Sequence, residues 1–266
     1  MPRIHVVGQS VSVTCVVRTI ERWFPVTRWP RVRDAFAVLS DEESVVIFDA
    51  THVREESLES LAKVRQARGR IVCLVPISDI GVRSFVELAK HLPRASPYAV
   101  PSPPDGLDAL TLREILFEPD HGPVSDVLPP LLEIVSPRRP YLLGASVLFG
   151  RRRYRLSTFA RLCGVAPRTV QVFAKHQGLP NPSRLQRWGL VFWVHWRMQR
   201  WGLTGKQAAA AAGFTLPATL NSITRVLTGL SPVALAREVG VGELVLLAAN
   251  DMKAGDCSET FHNGQS

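Results

Sequence analysis

Two patterns of apolar positions alternate along the first hundred residues. Short runs at 3–7 ("RIHVV"), 25–29 ("PVTRW"), 44–50 ("SVVIFDA"), 70–77 ("RIVCLVPI") and 97–101 ("PYAVP") predict five strands. Between them, apolar residues recur at helical spacing. Val13, Val16, Val17 and Ile20 mark one helix, and "RVRDAFAVLSDEE" (31–43) a second. Leu58, Leu61 and Val64 mark a third, and Val82, Phe85, Leu88 and Leu92 a fourth. The 44–50 run is apolar almost throughout, as in a parallel strand buried on both faces. Strands alternating with helices imply βαβ units. The expectation for residues 1–120 is therefore an α/β domain with a five-stranded, doubly wound parallel sheet.

A Pro-rich break, "PSPPDG" at 101–106, closes this region. Helices are expected over 107–117 and 124–136, with 121–150 forming a linker or helical connection. From "YRLSTFARLCG" (154–164) onward the pattern is all helical, so 151–250 is expected to be an all-α domain. The polar stretch 251–266 has too few apolar residues to pack and is expected to be a disordered tail.

Two segments of the helical region resemble each other: 156–179 ("LSTFARLCGVAPRTVQVFAKHQGL") and 203–230 ("LTGKQAAAAAGFTLPATLNSITRVLTGL"). In each, a short helix carrying small residues leads to a glycine (Gly164, Gly213) and then an apolar residue (Val165, Phe214). A second helix follows and closes near another glycine (Gly178, Gly229). A glycine at the turn lets two helices meet steeply, as a helix-turn-helix requires. Between the two lies "SRLQRWGLVFWVHWRMQR" (183–200), with Leu185, Trp188, Phe192 and Trp196 as an apolar stripe. The shared face assigns these aromatics to core rather than to a stacking platform for single strands. His195 is read as structural too.

Charge sharpens this picture. The chain carries a formal net charge of +9. Residues 1–150 hold 17 Lys/Arg against 18 Asp/Glu, whereas 151–230 hold 13 Lys/Arg and not one acid. Solvated faces normally mix both signs, so a block of this kind predicts a polyanionic partner. On the second helix of the first segment, Arg168, Thr169, Gln171, Val172 and Lys175 are the expected exposed face, with Val170 inward. The corresponding face of the second segment is Ala218, Thr219, Asn221, Ser222 and Arg225, with Leu220 inward. Arg and Gln can pair bidentately with guanine and adenine, and Lys can hold phosphate or guanine.

The ordered combination of "L-S-x-x-A-x-x-x-G-V-x-P-R-T" (156–169), "GLPNPSRLQRW" (178–188), "GLT" (202–204) and "GF-x-x-P-x-x-L…R-x-L-T-G-L-S-P" (213–232) resembles the C-terminal DNA-binding domain of AraC/XylS-type transcription regulators over roughly 150–236. The second segment departs from that pattern in its run of alanines. The resemblance implies a sequence-specific regulator of transcription, with double-stranded DNA as partner and two recognition helices in successive major grooves. A homodimer through the N-terminal domain, and RNA polymerase, are the further partners to be expected.

The strand–helix order of 3–103 is similar to a response-regulator receiver, whose flavodoxin-like sheet runs 2-1-3-4-5. Asp49 then stands at the phosphoacceptor position. Gly8 and Gln9 replace the metal-holding acids, and Pro76 and Pro101 replace the later hydroxyl and lysine. The implied domain is a degenerate receiver serving contact rather than phosphoryl transfer, which needs a metal and a cation beside the transferring group. A phosphorylation-controlled regulator using Asp49 is the alternative. An enzyme on the α/β domain is the remaining class, with no G-x-G-x-x-G after the first strand, no G-x-S-x-G and no P-loop. His5, His52, His91 and His121 are scattered, and no cofactor or metal is expected. Cys15, Cys73, Cys163 and Cys257 lie far apart, as expected of reduced thiols in a cytoplasm. No eighteen-residue apolar run predicts a membrane span, and "MPRIHVVGQS" lacks the order of a secretory signal.

Overall fold

The computed structural model describes residues 3–8, 11–21, 24–31, 34–35, 44–51, 70–91, 98–102 and 122–254. The chain divides into two compact units, 1–121 and 122–266. The helices expected around 31–43, 58–64 and 107–117, and the tail beyond Ala254, lie outside the described residues or nearly so.

The first unit is built on a five-stranded sheet. Its strands are β1 (Arg3–Val7), β2 (Val26–Trp29), β3 (Ser44–Asp49), β4 (Arg70–Pro76) and β5 (Tyr98–Ser102). They run β2-β1-β3-β4-β5, and every neighbouring pair is parallel. The register sets Ile4 opposite Val26 and Val45, Ile47 opposite Val72, and Leu74 opposite Val100. Period-two alternation sends these residues to one face. There they pack against Val13, Val16, Val17 and Ile20 of α1 (Val11–Ile20). α2 (Asp79–His91) packs on β4 and buries Val82, Phe85 and Leu88. All six residues of β3 are buried, so both its faces are covered.

The second unit is helical. Its elements are α3 (Val124–Val135), α4 (Tyr141–Leu148), α5 (Leu156–Leu162), α6 (Pro167–His176), α7 (Pro182–Trp201), α8 (Gly205–Ala211), α9 (Pro217–Thr228), α10 (Pro232–Glu238) and α11 (Val241–Ala254). Residues 122–150 belong to this unit: α3 packs on α11, and α4 on α7.

α7 is the axis of the unit, touching α4, α6, α8, α9, α10 and α11. Asn181 caps its start by accepting the Arg184 N–H at 2.9 Å, and Gly202 ends it at φ 61°. Its burial corrects the single stripe expected from sequence. Leu190, Val191, Trp193, Val194 and Met198 are buried along with Leu185, Trp188 and Phe192, while Trp196 is only half-buried. A helix surrounded by others buries nearly all its sides, so the stripe marked only part of the contact. His195 is buried as expected, its Nε2 donating to the Val239 carbonyl at 2.8 Å. Burial lowers its pKa, and the carbonyl offsets this only in part.

Asp251 of α11 anchors the N-terminal end of α7. Its carboxylate accepts from Arg184 Nε at 2.8 Å and Nη2 at 2.5 Å, and from Trp188 Nε1 at 2.7 Å. Burial pushes this carboxyl up, but the hydrogen bonds from Arg184 and Trp188, with the Arg184 charge, outweigh it and leave the group below its ordinary value.

Candidate nucleic-acid interface

Two turns in the helical unit are built alike. In the first, the Gly164 N–H donates to the Arg161 carbonyl at 2.9 Å, and the Val165 N–H reaches back to Ala160 at 3.0 Å. In the second, the Gly213 N–H donates to Ala210 at 3.0 Å, and the Phe214 N–H to Ala209 at 2.9 Å. The long reach-back bond is that of a Schellman turn, which places its glycine in the left-handed region. Gly164 has φ 70° and Gly213 φ 81°. Proline opens the following helix in both cases, Pro167 in α6 and Pro217 in α9, where its missing N–H costs nothing.

The likeness continues into the packing. Ala160 and Ala209 are both fully buried, and each first helix packs on its second. Val170 and Leu220 point inward as expected, each at 0% exposure. Ala174 and Thr224 bury the next turn, with the Thr224 hydroxyl donating to the Leu220 carbonyl at 3.0 Å. The second segment has one further support: Thr204 and Gln207 form a reciprocal capping box at the start of α8.

With these positions inside, the opposite faces of α6 and α9 lie outward. Arg168, Gln171, Val172 and Lys175 are exposed, and Thr169 is half-buried at the edge. On α9, Ala218, Ser222 and Arg225 are exposed, and Thr219 and Asn221 half-buried. In both helices the outward set follows the i, i+3, i+4, i+7 spacing of a single face. Val172 is 46% exposed among hydrogen-bonding neighbours, and Val226 is 61% exposed at the far end of α9. Among the described residues, Arg168, Lys175 and Arg225 make no ion pair.

Sequence reading overlooked an arginine cluster between the two segments. The Arg151 guanidinium sits 4.7 Å from the Trp193 ring centroid, and that of Arg197 5.5 Å. Arg197 Nη1 donates to the carbonyls of Arg151 at 3.3 Å and Ala211 at 3.2 Å. Burial, then the neighbouring Arg197 charge, pull the Arg151 guanidinium down to about 9, so it stays charged at neutral pH. The run "RRR" at 151–153 was the available signal, but Trp193 and Ala211 meet it only through packing.

Asp49, the remaining expected site residue, ends β3 at 2% exposure. Its Oδ1 accepts from the Thr51 N–H at 2.9 Å and the Thr51 hydroxyl at 2.7 Å, closing the turn after the strand. The buried thiol of Cys73 is raised well above its ordinary pKa, by burial and then by the Asp49 charge. Burial pushes Cys163 up to about 12. Both thiols are thus protonated and poorly reactive at neutral pH. Among the described residues no three His, Cys, Asp or Glu side chains are grouped to hold a metal, and no helix is long and apolar enough to cross a membrane.

No family model, curated protein or solved structure matches this chain significantly.

Proposed function

We propose that residues 151–236 form two helix-turn-helix units that bind duplex DNA sequence-specifically, and that the protein regulates transcription in the manner of the AraC/XylS-type regulators it resembles. α6 and α9 are the reading helices. The observation that carries this reading is the repeated turn, with identical hydrogen bonding at Gly164 and Gly213, presenting two equivalent outward faces from a block without a single carboxylate. Arg168 and Gln171 supply bidentate donors for base edges, and Lys175 and Arg225 supply charge for phosphate or guanine. α7, at 20 residues, spans about 30 Å. That length suits two helices set in successive major grooves, about 34 Å apart. On this reading the α/β unit acts by contact, pairing two chains or meeting RNA polymerase, and Asp49 serves its turn rather than phosphoryl transfer.

Selection of bound duplexes from a random pool by the full-length chain tests the proposal. The expected result is an enriched site with two base clusters about one helical turn apart. Its affinity should fall with salt at a log–log slope of about −5 or steeper, because each neutralised phosphate releases counterions. No enrichment, or binding insensitive to salt, contradicts it.

A further inference from the structure

The segment 151–155 joins the two repeated units physically. Its C-terminal end is the start of α5, in the first of the two repeats. Its middle is pinned to the turn of the second: the Arg153 N–H donates to the Ala212 carbonyl at 3.4 Å, and the Arg153 guanidinium lies 5.9 Å from the Phe214 ring centroid. Arg197 clamps the same junction from below, holding the Arg151 and Ala211 carbonyls together. The backbone here is therefore fixed relative to both units. Arg153 and Arg155 are exposed, and no acid lies between 151 and 230.

Among the described residues, Arg153 and Arg155 make no ion pair. We infer that Arg153 and Arg155 form a phosphate-binding site on the bridge between the two units, contacting the sugar–phosphate backbone between the two read sequences. The inference rests on the duplex-binding reading above and adds a position-fixing site to it. Phosphate contacts of this kind set register and orientation without reading sequence. Arg151 and Arg197 serve the site as positioning residues, by fixing the bridge through Trp193 and the two carbonyls.

The test uses the full-length protein on a duplex selected by that protein, with Arg153→Gln, Arg155→Gln and the double variant. Each lost phosphate contact should make the salt slope shallower by about 0.9, so the double variant should lose close to two units of slope. Its preference among single-base variants of the site should be unchanged. Neutral methylphosphonates at the backbone between the two base clusters should weaken the parent several-fold and leave the double variant nearly unaffected. Arg155→Gln touches no described aromatic ring, so it keeps the test informative if Arg153→Gln lowers the thermal midpoint. Parental slope and affinity in Arg155→Gln and in the double variant overturn the site, as does a loss confined to one base identity. Failure of the parent itself to bind any duplex overturns the duplex-binding reading and this site with it, a result distinct from the other two.

Discussion

Arg168 and Arg187 are both exposed cations in the acid-free block, but they occupy different surfaces. Arg168 opens the outward face of α6 beside Gln171 and Val172, whereas Arg187 lies on α7. A side chain in the groove discriminates bases; one at the backbone does not. Arg168→Ala should therefore cost about 1–3 kcal/mol at one base pair and relax preference there. Arg187→Ala should weaken all sequences equally or not at all. Competition binding against single-base variants distinguishes these outcomes, and equal loss on specific and scrambled DNA for Arg168→Ala removes it from the groove. Asp251 illustrates a residue with a structural task. Asp251→Ala deprives the buried Trp188 indole N–H of its acceptor and Arg184 of its counter-ion. A loss of about 2 kcal/mol follows at neutral pH, with the half-exposed arginine contributing little of it. The folded carboxyl sits below its unfolded pKa, so this stability is present above about 3.9 and disappears as pH falls through the lower folded value. Denaturant titrations of parent and variant should therefore converge in acid. A gap that stays constant or widens there contradicts the charge-assisted role.

At the level of elements, two glycines are required for different reasons. A Cβ at Gly189 of α7 would lie 1.9 Å from the Ser146 carbonyl oxygen of α4, so the two helices touch through backbone. A Cβ at Gly213 meets nothing within 4 Å, but its φ of 81° strains any L-residue. Gly213→Ala should cost on the order of 1 kcal/mol. Gly189→Ala should cost more, about 1–3 kcal/mol, despite alanine's better helix propensity, because backbone must move. Thermal melts that rank them in the opposite order would show that the α4–α7 approach is slack. The strands were legible because each is a short apolar run between polar breaks, and their boundaries moved by about one residue. The repeated turn was legible because glycine, the apolar residue after it and proline recur in order. The burial of α7 was not. A helix enclosed on nearly all sides has no single stripe, and Trp193, which faces Arg151, Arg197 and the Val147 carbonyl, lies outside the stripe that was read. The packing of α3 on α11 joins segments far apart in sequence, and no local pattern encodes it.

For the whole molecule, the proposed reading divides the work between the two units, giving contact to the charge-balanced α/β unit and DNA binding to the basic helical unit. Small phosphodonors with Mg²⁺ should leave the protein unmodified by intact mass. Asp49 already holds the Thr51 turn, and phosphoryl transfer needs a metal and a cation to offset the developing charge, for which the resemblance to a receiver finds only Gly8, Gln9 and Pro101 in the sequence. A single added phosphate that disappears in Asp49→Asn restores phosphorylation control. The central claim, that α6 and α9 read successive grooves of one duplex, is tested most directly by guanine-methylation interference with the full-length chain on its selected site. The predicted result is two clusters of major-groove interference on one face, about 10 base pairs apart. Arg168→Ala should erase one cluster and Arg225→Ala weaken the other. A single cluster untouched by either substitution, or interference confined to the minor groove, contradicts it.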